Sequence, residues 1–483
     1  MSVLDKILKS VENYPDRHAY ISLAGSISYR DLWERSGRLA SLIEDKAGES
    51  KAPVVIYGHK SPQMLVCFLA CARSGRAYCP VDKSMPPQRI RDIAAQTGAP
   101  LLIAVEPLPY EEPVSVTADE LEAAAEAYPQ PDPDKAVCGD DIFYMIFTSG
   151  STGRPKGVQI TDRNLDSFVS WSCSIFGRPG VFMNQAPYSF DLSVFDTYSS
   201  LTMGGTVVSL DKGILQDMER TFSFLRENGV EFFVSTPSFA NLLLADKAFS
   251  AEEFPALERF VFCGEKLTKE TASRLSERFP KAKVINTYGP TEATVAVSGV
   301  EITDDMLASE KPLPIGTAKP DTEIYTDGEE LIISGPSVSP GYYKDREKTV
   351  KVFSAGTDGM RCYRTGDSGY YEDGMLYCTG RLDSQIKMSG YRIELEDIEN
   401  NLLGLDGIGE AAVIPRYDGE IIKSLAAFVA PDESGIALEG RALRKKLREK
   451  IPAYMVPKKI IVTERLPVND NGKINRKKLE ELL

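Results

Sequence analysis

The chain has 483 residues, 42% hydrophobic, 9% aromatic and 26% charged, the makeup of a soluble globular protein with about two to four compact units rather than a disordered, collagenous or coiled-coil chain. Its formal net charge of −14 argues against a general binder of nucleic acid or anionic membrane, since both select a basic surface. The two histidines, His18 and His59, are too few for a metal centre built on several His ligands or for most His-based acid–base catalysis.

The opening segment MSVLDKILKSVENYPDRHAY is amphipathic, carries acids early and lacks the unbroken apolar region of a signal peptide. LWERSGRLASLIED has helical spacing, PVVIYG reads as a buried strand, and MLVCFLACARSG reads as a buried helix ending at glycine. PQPDPD at 129–134 is a linker or surface loop. IFYMIF at 142–147 is a buried strand, followed by a Gly, Ser and Thr-rich loop and a second short strand, VQI. TVVSL, EFFVST, RFVFCG and KVINTYG suit parallel strands, with helical stretches such as DMERTFSFLRENG between several of them. After about residue 320 the pattern changes: TEIYTDGEELIISG reads as a β-hairpin with Asp-Gly at its turn. The last hundred residues read as a small α+β domain, with helices in LEDIENNLLG and RALRKKLREK and strands in EAAVIP, KSLAAFVA and KKIIVT.

Charge divides the chain at the same place. Residues 384–483 hold 17 Lys+Arg against 16 Asp+Glu, so the first 383 residues carry a balance of −15. The expected fold class is α/β: a large N-terminal body of layered α/β subdomains plus a β-rich subdomain (1–382), and a small mobile C-terminal α+β domain (383–483). The eight cysteines include no CxxC pair and are expected to be reduced and mostly buried. No stretch approaches the ~20 apolar residues of a membrane span. A cytoplasmic protein without membrane insertion is expected.

Five segments carry chemistry. In FTSGSTGRPKGV, from Phe147 to Val158, glycines let backbone N–H groups approach phosphate oxygens, and Thr148, Ser149, Thr152 and Lys156 add donors and charge. The Gly-Lys-Ser/Thr of a P-loop NTPase and the GxGxxG dinucleotide fingerprint are both missing. In itself the string is also compatible with a mobile surface loop. In NTYGPTEATV, from Asn286 to Val295, Gly289-Pro290 forces a turn. There an exposed Tyr288 could stack on a base, Thr291 could bond a phosphate, and Glu292 is a hard oxygen ligand suited to Mg2+ on ATP phosphates. A plain structural turn is the alternative. In YRTGD, Asp367 can hold both ribose hydroxyls, although TGD is also a common turn. In GRLDSQIKMSGYRIELEDIE, Arg381 can pair with a phosphate or ribose, and Asp383 sits at the charge boundary, a natural hinge. In PVNDNGKINRKKL, Lys473 follows an Asn-Gly turn signal; it is either a solvated lysine or a mobile cation.

In this order and spacing the five segments resemble the adenylate-forming superfamily of acyl-CoA synthetases, luciferases and nonribosomal peptide synthetase adenylation domains, over nearly the whole chain. The resemblance implies two domains and two steps. A carboxylate attacks the α-phosphate of MgATP, giving an acyl adenylate and pyrophosphate; a thiol then takes the acyl group and AMP leaves. It also implies an ATP-binding set of Thr148, Ser149, Thr152, Lys156, Asn286, Thr287, Tyr288, Gly289, Pro290, Thr291, Asp367, Cys378, Thr379, Gly380 and Arg381. Lys473 is implied as the catalytic bridge between the carboxylate and the α-phosphate, Glu292 as the Mg2+ ligand and Asp383 as the hinge.

In NQAPYSFDLSVFDTY, Asp191 stands where amino-acid-activating members resemble one another, with Asp binding the substrate ammonium; capping the following helix is the alternative, and the two are compatible. VVIYGHK, STPSFA, FVFCGEKL and NTYGPTEATVAV, with that string, resemble the D-alanine–D-alanyl carrier protein ligases, which load D-alanine onto a carrier for teichoic acid modification. In FVFCGE, Cys263 replaces a usual glycine, and in this resemblance it lines the D-alanine pocket with Asp191 and Val295; a structural buried cysteine is the alternative. The sequence departs from the pattern in a short hairpin at 320–334 and in Asn475, where many members have Asp. The competing readings are a stand-alone adenylation enzyme for glycine, L-alanine or serine, an acyl-CoA synthetase, and a non-catalytic relative. The chain stops just after the Lys473 segment, so a phosphopantetheinylated D-alanyl carrier protein is expected to act in trans on a monomer. The basic clusters at Arg444–Arg448 and Arg476–Lys478 are candidate docking surfaces, with solvated charge as the alternative.

Overall fold

Apolar runs without polar alternation become parallel strands covered on both faces, and many of the helices start at side-chain caps. Ser2 and Asp5 form a capping box on the helix Val3–Asn13, and Thr161 with Asn164 does the same for Asp162–Phe176. The computed structural model describes residues 1–111, 115–150, 153–468 and 474–483. The chain forms two compact units: Met1–Asp82, Thr97–Ile146 and Gly157–Leu382 make the first, and Lys83–Gln96, Phe147–Lys156 and Asp383–Leu483 the second. The second unit therefore includes two segments from earlier in the sequence as well as the chain from Asp383 onward.

The first unit holds three sheets. One has the spatial order Leu102–Ala104, Val54–Gly58, Tyr78–Asp82, Ile142–Thr148, Lys156–Thr161. A nine-stranded sheet carries, side by side and parallel, Lys283–Tyr288, Arg259–Phe262, Phe232–Ser235, Val181–Asn184 and Thr206–Ser209. Antiparallel edge strands flank this parallel centre. Its strands bury Phe182, Phe232, Phe233 and Phe260 completely, and Phe176, Phe182 and Phe232 meet edge-on or tilted with centroids 4.7–5.1 Å apart. The third sheet is antiparallel and includes Glu323–Asp327, Glu330–Ser334, Arg361–Glu372 and Met375–Arg381. Asp327 pairs with Glu330, so the hairpin turn is Gly328-Glu329, one position later than the Asp-Gly signal suggests. Gly328, at φ +64°, supplies the left-handed residue the turn needs.

In the second unit, Ile408–Asp418 and Ile421–Pro431 pair antiparallel and Lys459–Val462 adds a parallel third strand. The helices Leu395–Leu403 and Gly440–Arg448 pack with them. Arg89 stands 3.7 Å from Asp397, and Tyr391 stacks on Tyr454 with centroids 3.8 Å apart. Among the described residues no helix is long and apolar enough to cross a membrane. All eight cysteines are free; Cys67, Cys71, Cys79, Cys263 and Cys362 are buried and Cys138 is exposed.

Candidate active site

Parallel sheets place ligand-binding residues in the loops at the carboxyl ends of their strands. Three of four consecutive parallel strands of the nine-stranded sheet do so here, Phe232–Ser235 being the fourth. Val181–Asn184 leads to Asp191, Arg259–Phe262 is followed directly by Cys263, and Lys283–Tyr288 opens into the segment Gly289–Val295. The topology thus brings Asp191, Cys263 and Val295 to one edge of one sheet. Asp191 precedes the helix Leu192–Met203 with helical dihedrals, and its side chain makes no cap hydrogen bond. The capping alternative therefore fails. Tyr144 lies close enough that its phenol, raised chiefly by burial, is raised further by the Asp191 charge.

The Thr294–Val295 turn is built under strain. Thr294 and Val295 both adopt left-handed backbone, at φ 61° and 68°. For β-branched residues that is rare and costs about 1–3 kcal/mol each. The surroundings impose it: Thr294 Oγ1 donates to the Ser337 carbonyl at 2.7 Å, and Cys263 Sγ donates to the Val295 carbonyl at 3.5 Å. Cys263 is 3% exposed and Val295 2%. The turn comes so close to its own return that a Cβ on Gly289 would lie 2.5 Å from the Ala296 Cα, which explains the glycine.

The GPTE segment is more enclosed than its sequence suggests. Tyr288 was expected to be exposed but is 6% exposed, with its hydroxyl donating to Asp367 Oδ2 at 2.6 Å. Burial, and then the Asp367 charge, raise its phenol well above the ordinary range. The other Asp367 oxygen accepts from Arg381 Nη1 at 3.0 Å, and that nitrogen also donates to the Thr365 carbonyl at 2.8 Å. Each carboxylate oxygen keeps a second lone pair, so Asp367 is held in place and still able to accept from a diol. Asn286 Nδ2 donates to the Pro314 carbonyl at 2.7 Å and Thr287 Oγ1 to the Phe262 carbonyl at 2.8 Å; both side chains brace the strand. Pro290 and Thr291 are buried, and the 3-10 turn Thr291–Ala293 carries Glu292. Cys378 is half-buried, Thr379 Oγ1 donates to Ser368 Oγ at 2.9 Å, and Gly380 has φ +150°.

Glu292 is fully buried, and its Oε1 accepts from the Tyr342 hydroxyl at 2.8 Å. Among the described residues no group of three or more His, Cys, Asp or Glu side chains gathers to hold a metal. A single oriented carboxylate suits Mg2+, which keeps most of its waters and shares phosphates with a nucleotide. Tyr342, which orients this carboxylate, was not singled out from the sequence, because nothing near it in the chain marks it.

In the second unit, Ser149 Oγ donates to the Arg392 carbonyl at 3.0 Å and accepts from the Glu394 N–H at 3.3 Å. Lys156 Nζ lies 3.6 Å from Glu394. Thr148 Oγ1 is buried and finds no hydrogen-bond partner among the described residues. Asp383 caps its own turn, accepting from the Gln385 N–H at 3.0 Å, and is exposed. Thr152 and Lys473, both singled out from the sequence, lie outside the described residues.

Two family models match this chain: AMP-binding enzyme over residues 7–343 and AMP-binding enzyme C-terminal domain over 397–473. Solved structures agree on the fold. An NRPS protein containing adenylation and PCP domains superposes with a TM-score of 0.85 at 26% identity, covering 100% of this chain and 84% of that one. A Vibrio cholerae adenylation domain in complex with glycyl-adenosine-5'-phosphate superposes at 0.83 with 21% identity, covering 99% and 97%. This chain is therefore an enzyme of the AMP-binding, AMP-forming ligase class. Curated relatives from Bacillus mycoides (strain KBAB4) and Bacillus licheniformis, both named D-alanine–D-alanyl carrier protein ligase, are 43% identical to it over 99% and 100% of this chain and 99% of theirs. The chain belongs to that ligase family.

Proposed function

We propose that the protein activates D-alanine as D-alanyl-AMP and transfers it to the phosphopantetheine thiol of a separate D-alanyl carrier protein, in the cytoplasm and as a monomer, to supply teichoic acid D-alanylation. The observation that carries the reading is that Asp191, Cys263 and Val295 all follow the carboxyl ends of parallel strands of one sheet, with Cys263 donating to the Val295 carbonyl. In this reading Asp191 pairs with the substrate ammonium. The Cys263 thiol and the Val295 wall leave room beside the Cα for one methyl group in one hand. Asp367, held by Tyr288 and Arg381, receives the ribose hydroxyls. Thr148, Thr152 and Lys156 offer donors to the phosphates, Ser149 would do so on releasing the Arg392 carbonyl, and Glu292 would hold Mg2+, which neutralises phosphate charge when bound.

The chemistry asks for no protein nucleophile. The D-alanine carboxylate attacks the α-phosphorus in line, the bond to the bridging oxygen breaks and pyrophosphate leaves. The carrier thiolate then attacks the acyl carbonyl and AMP leaves with the electron pair. Positioning and charge neutralisation supply the rate, which suits a chain with two histidines.

ATP–pyrophosphate exchange with D-alanine, L-alanine, glycine and serine in parallel tests the assignment. D-alanine should give the highest kcat/KM; a clear lead for any of the others refutes it. In the second step, acyl transfer to CoA equal to transfer to the carrier would point instead to an acyl-CoA synthetase. Cys263→Gly opens space beside the Cα and frees the Val295 carbonyl. The D over L ratio should then fall by roughly tenfold or more, the scale of one methylene-sized change in a pocket. An unchanged ratio would make Cys263 a packing residue only.

A further inference from the structure

A buried polar cluster in the first unit has no part in the chemistry above. Lys60, two residues past the strand Val54–Gly58, is 4% exposed. Its ammonium donates to the Asn184 main-chain carbonyl at 3.0 Å and to the Asn184 side-chain carbonyl. It also stands 5.5 Å from the centroid of the Tyr188 ring. Asn184 Nδ2 donates to Asp196 Oδ1 at 2.7 Å, and Ser209 Oγ donates to Asn184 Oδ1 at 2.9 Å. Asp196 is fully buried, and its second carboxylate oxygen has no hydrogen-bond partner among the described residues. Burial lowers the Lys60 ammonium to about 7 and raises the Asp196 carboxyl to about 7, while each opposes the other's shift.

The cluster's place in the chain gives it a task. Residues 185–191 link the strand Val181–Asn184 to the helix Leu192–Met203 and end in Asp191. Lys60 bonds the residue before this link, lies against a ring within it, and through Asn184 reaches Asp196 in the helix after it. It also ties two sheets together, since Val54–Gly58 and Val181–Asn184 belong to different ones. Tyr188 is fixed from its other neighbours by Phe68, edge-on at 5.1 Å. Two buried charged groups joined through an amide are a poor device for stability, because apolar residues of similar size do as well; the best-attested use of buried ionic groups is to specify one arrangement.

We propose that Lys60 is a positioning residue: by holding the start and the middle of segment 185–191 and, through Asn184, the helix that follows it, Lys60 sets the place of the Asp191 carboxylate and hence the fit of the amino acid's ammonium group. The inference rests on the reading of Asp191 as the ammonium partner. Its test is ATP–pyrophosphate exchange with Lys60→Met, which keeps the apolar stem and removes the ammonium. The double variant Lys60→Met/Asp196→Asn is assayed beside it, because it leaves no orphaned charge should the single variant fail to fold. In the folded variants the KM for D-alanine should rise about tenfold or more, given the sensitivity of such sites to ~1 Å displacements, with the KM for ATP within about twofold of wild type. An unchanged KM for D-alanine, or equal rises in both KM values, overturns the role. Wild-type protein run alongside keeps the two readings apart. Absence of D-alanine-dependent exchange there sinks the functional assignment, whereas normal wild-type exchange with unaltered variant KM sinks only the positioning role.

Discussion

Asp191→Asn is expected to lower kcat/KM for D-alanine in ATP–pyrophosphate exchange by about 10²–10³-fold, the scale of about 2–5 kcal/mol for leaving one member of a desolvated charge pair alone. The substitution keeps the shape of the side chain and removes its charge. It does not uncap the helix Leu192–Met203, because Asp191 makes no cap bond there. Folding should therefore survive, and the loss should appear in the KM for D-alanine and in turnover while the KM for ATP stays as in wild type. Propionate and other acids without an amino group should lose nothing from the substitution, because they present no ammonium. Undiminished exchange with D-alanine would refute the role of Asp191, and a matching loss of ATP affinity would point to collapse of the site as a whole.

Lys473→Ala is expected to be the more severe change in adenylation and nearly silent in transfer. In the in-line step two anions approach, the amino-acid carboxylate and the α-phosphate, and the charge between them grows toward the transition state. A cation bridging both contributes most at that point, and removing such a preorganised donor costs about 10²–10³-fold or more in kcat. The second half-reaction has no carboxylate to bring to a phosphate. Supplied with preformed D-alanyl adenylate, the variant should load the carrier at close to the wild-type rate. Equal loss in both half-reactions would remove Lys473 from the bridging role.

Much of the fold is legible in the sequence because buried parallel strands are unbroken apolar runs. VVIYG, FFVS and RFVF all form strands where their composition says they should. The hairpin was readable too, with its turn displaced by one residue because a two-residue turn needs its left-handed glycine inside the turn. The candidate site was legible where glycine, proline and acids cluster, as in GPTE and TGD. It was not legible where tertiary packing overrides local preference. Tyr288 looked like an exposed stacking ring, yet Asp367, 79 residues later, draws its hydroxyl inward. Thr294 and Val295 prefer extended backbone and are held left-handed by Ser337 and Cys263. Nothing in the sequence marks Lys60, and only the fold brings Asn184, 124 residues away, onto it. Long-range hydrogen bonds leave no periodicity for a sequence to show.

The left-handed pair Thr294–Val295 also constrains sequence drift. That backbone lies uphill for β-branched side chains and level for glycine, so glycine at Val295 would relax the chain. Val295 is only 2% exposed, however, so the same exchange would forfeit a buried side chain and leave a void. Strain and burial pull in opposite directions at this position, and in the reading proposed above the breadth of the amino-acid pocket turns on which of them prevails.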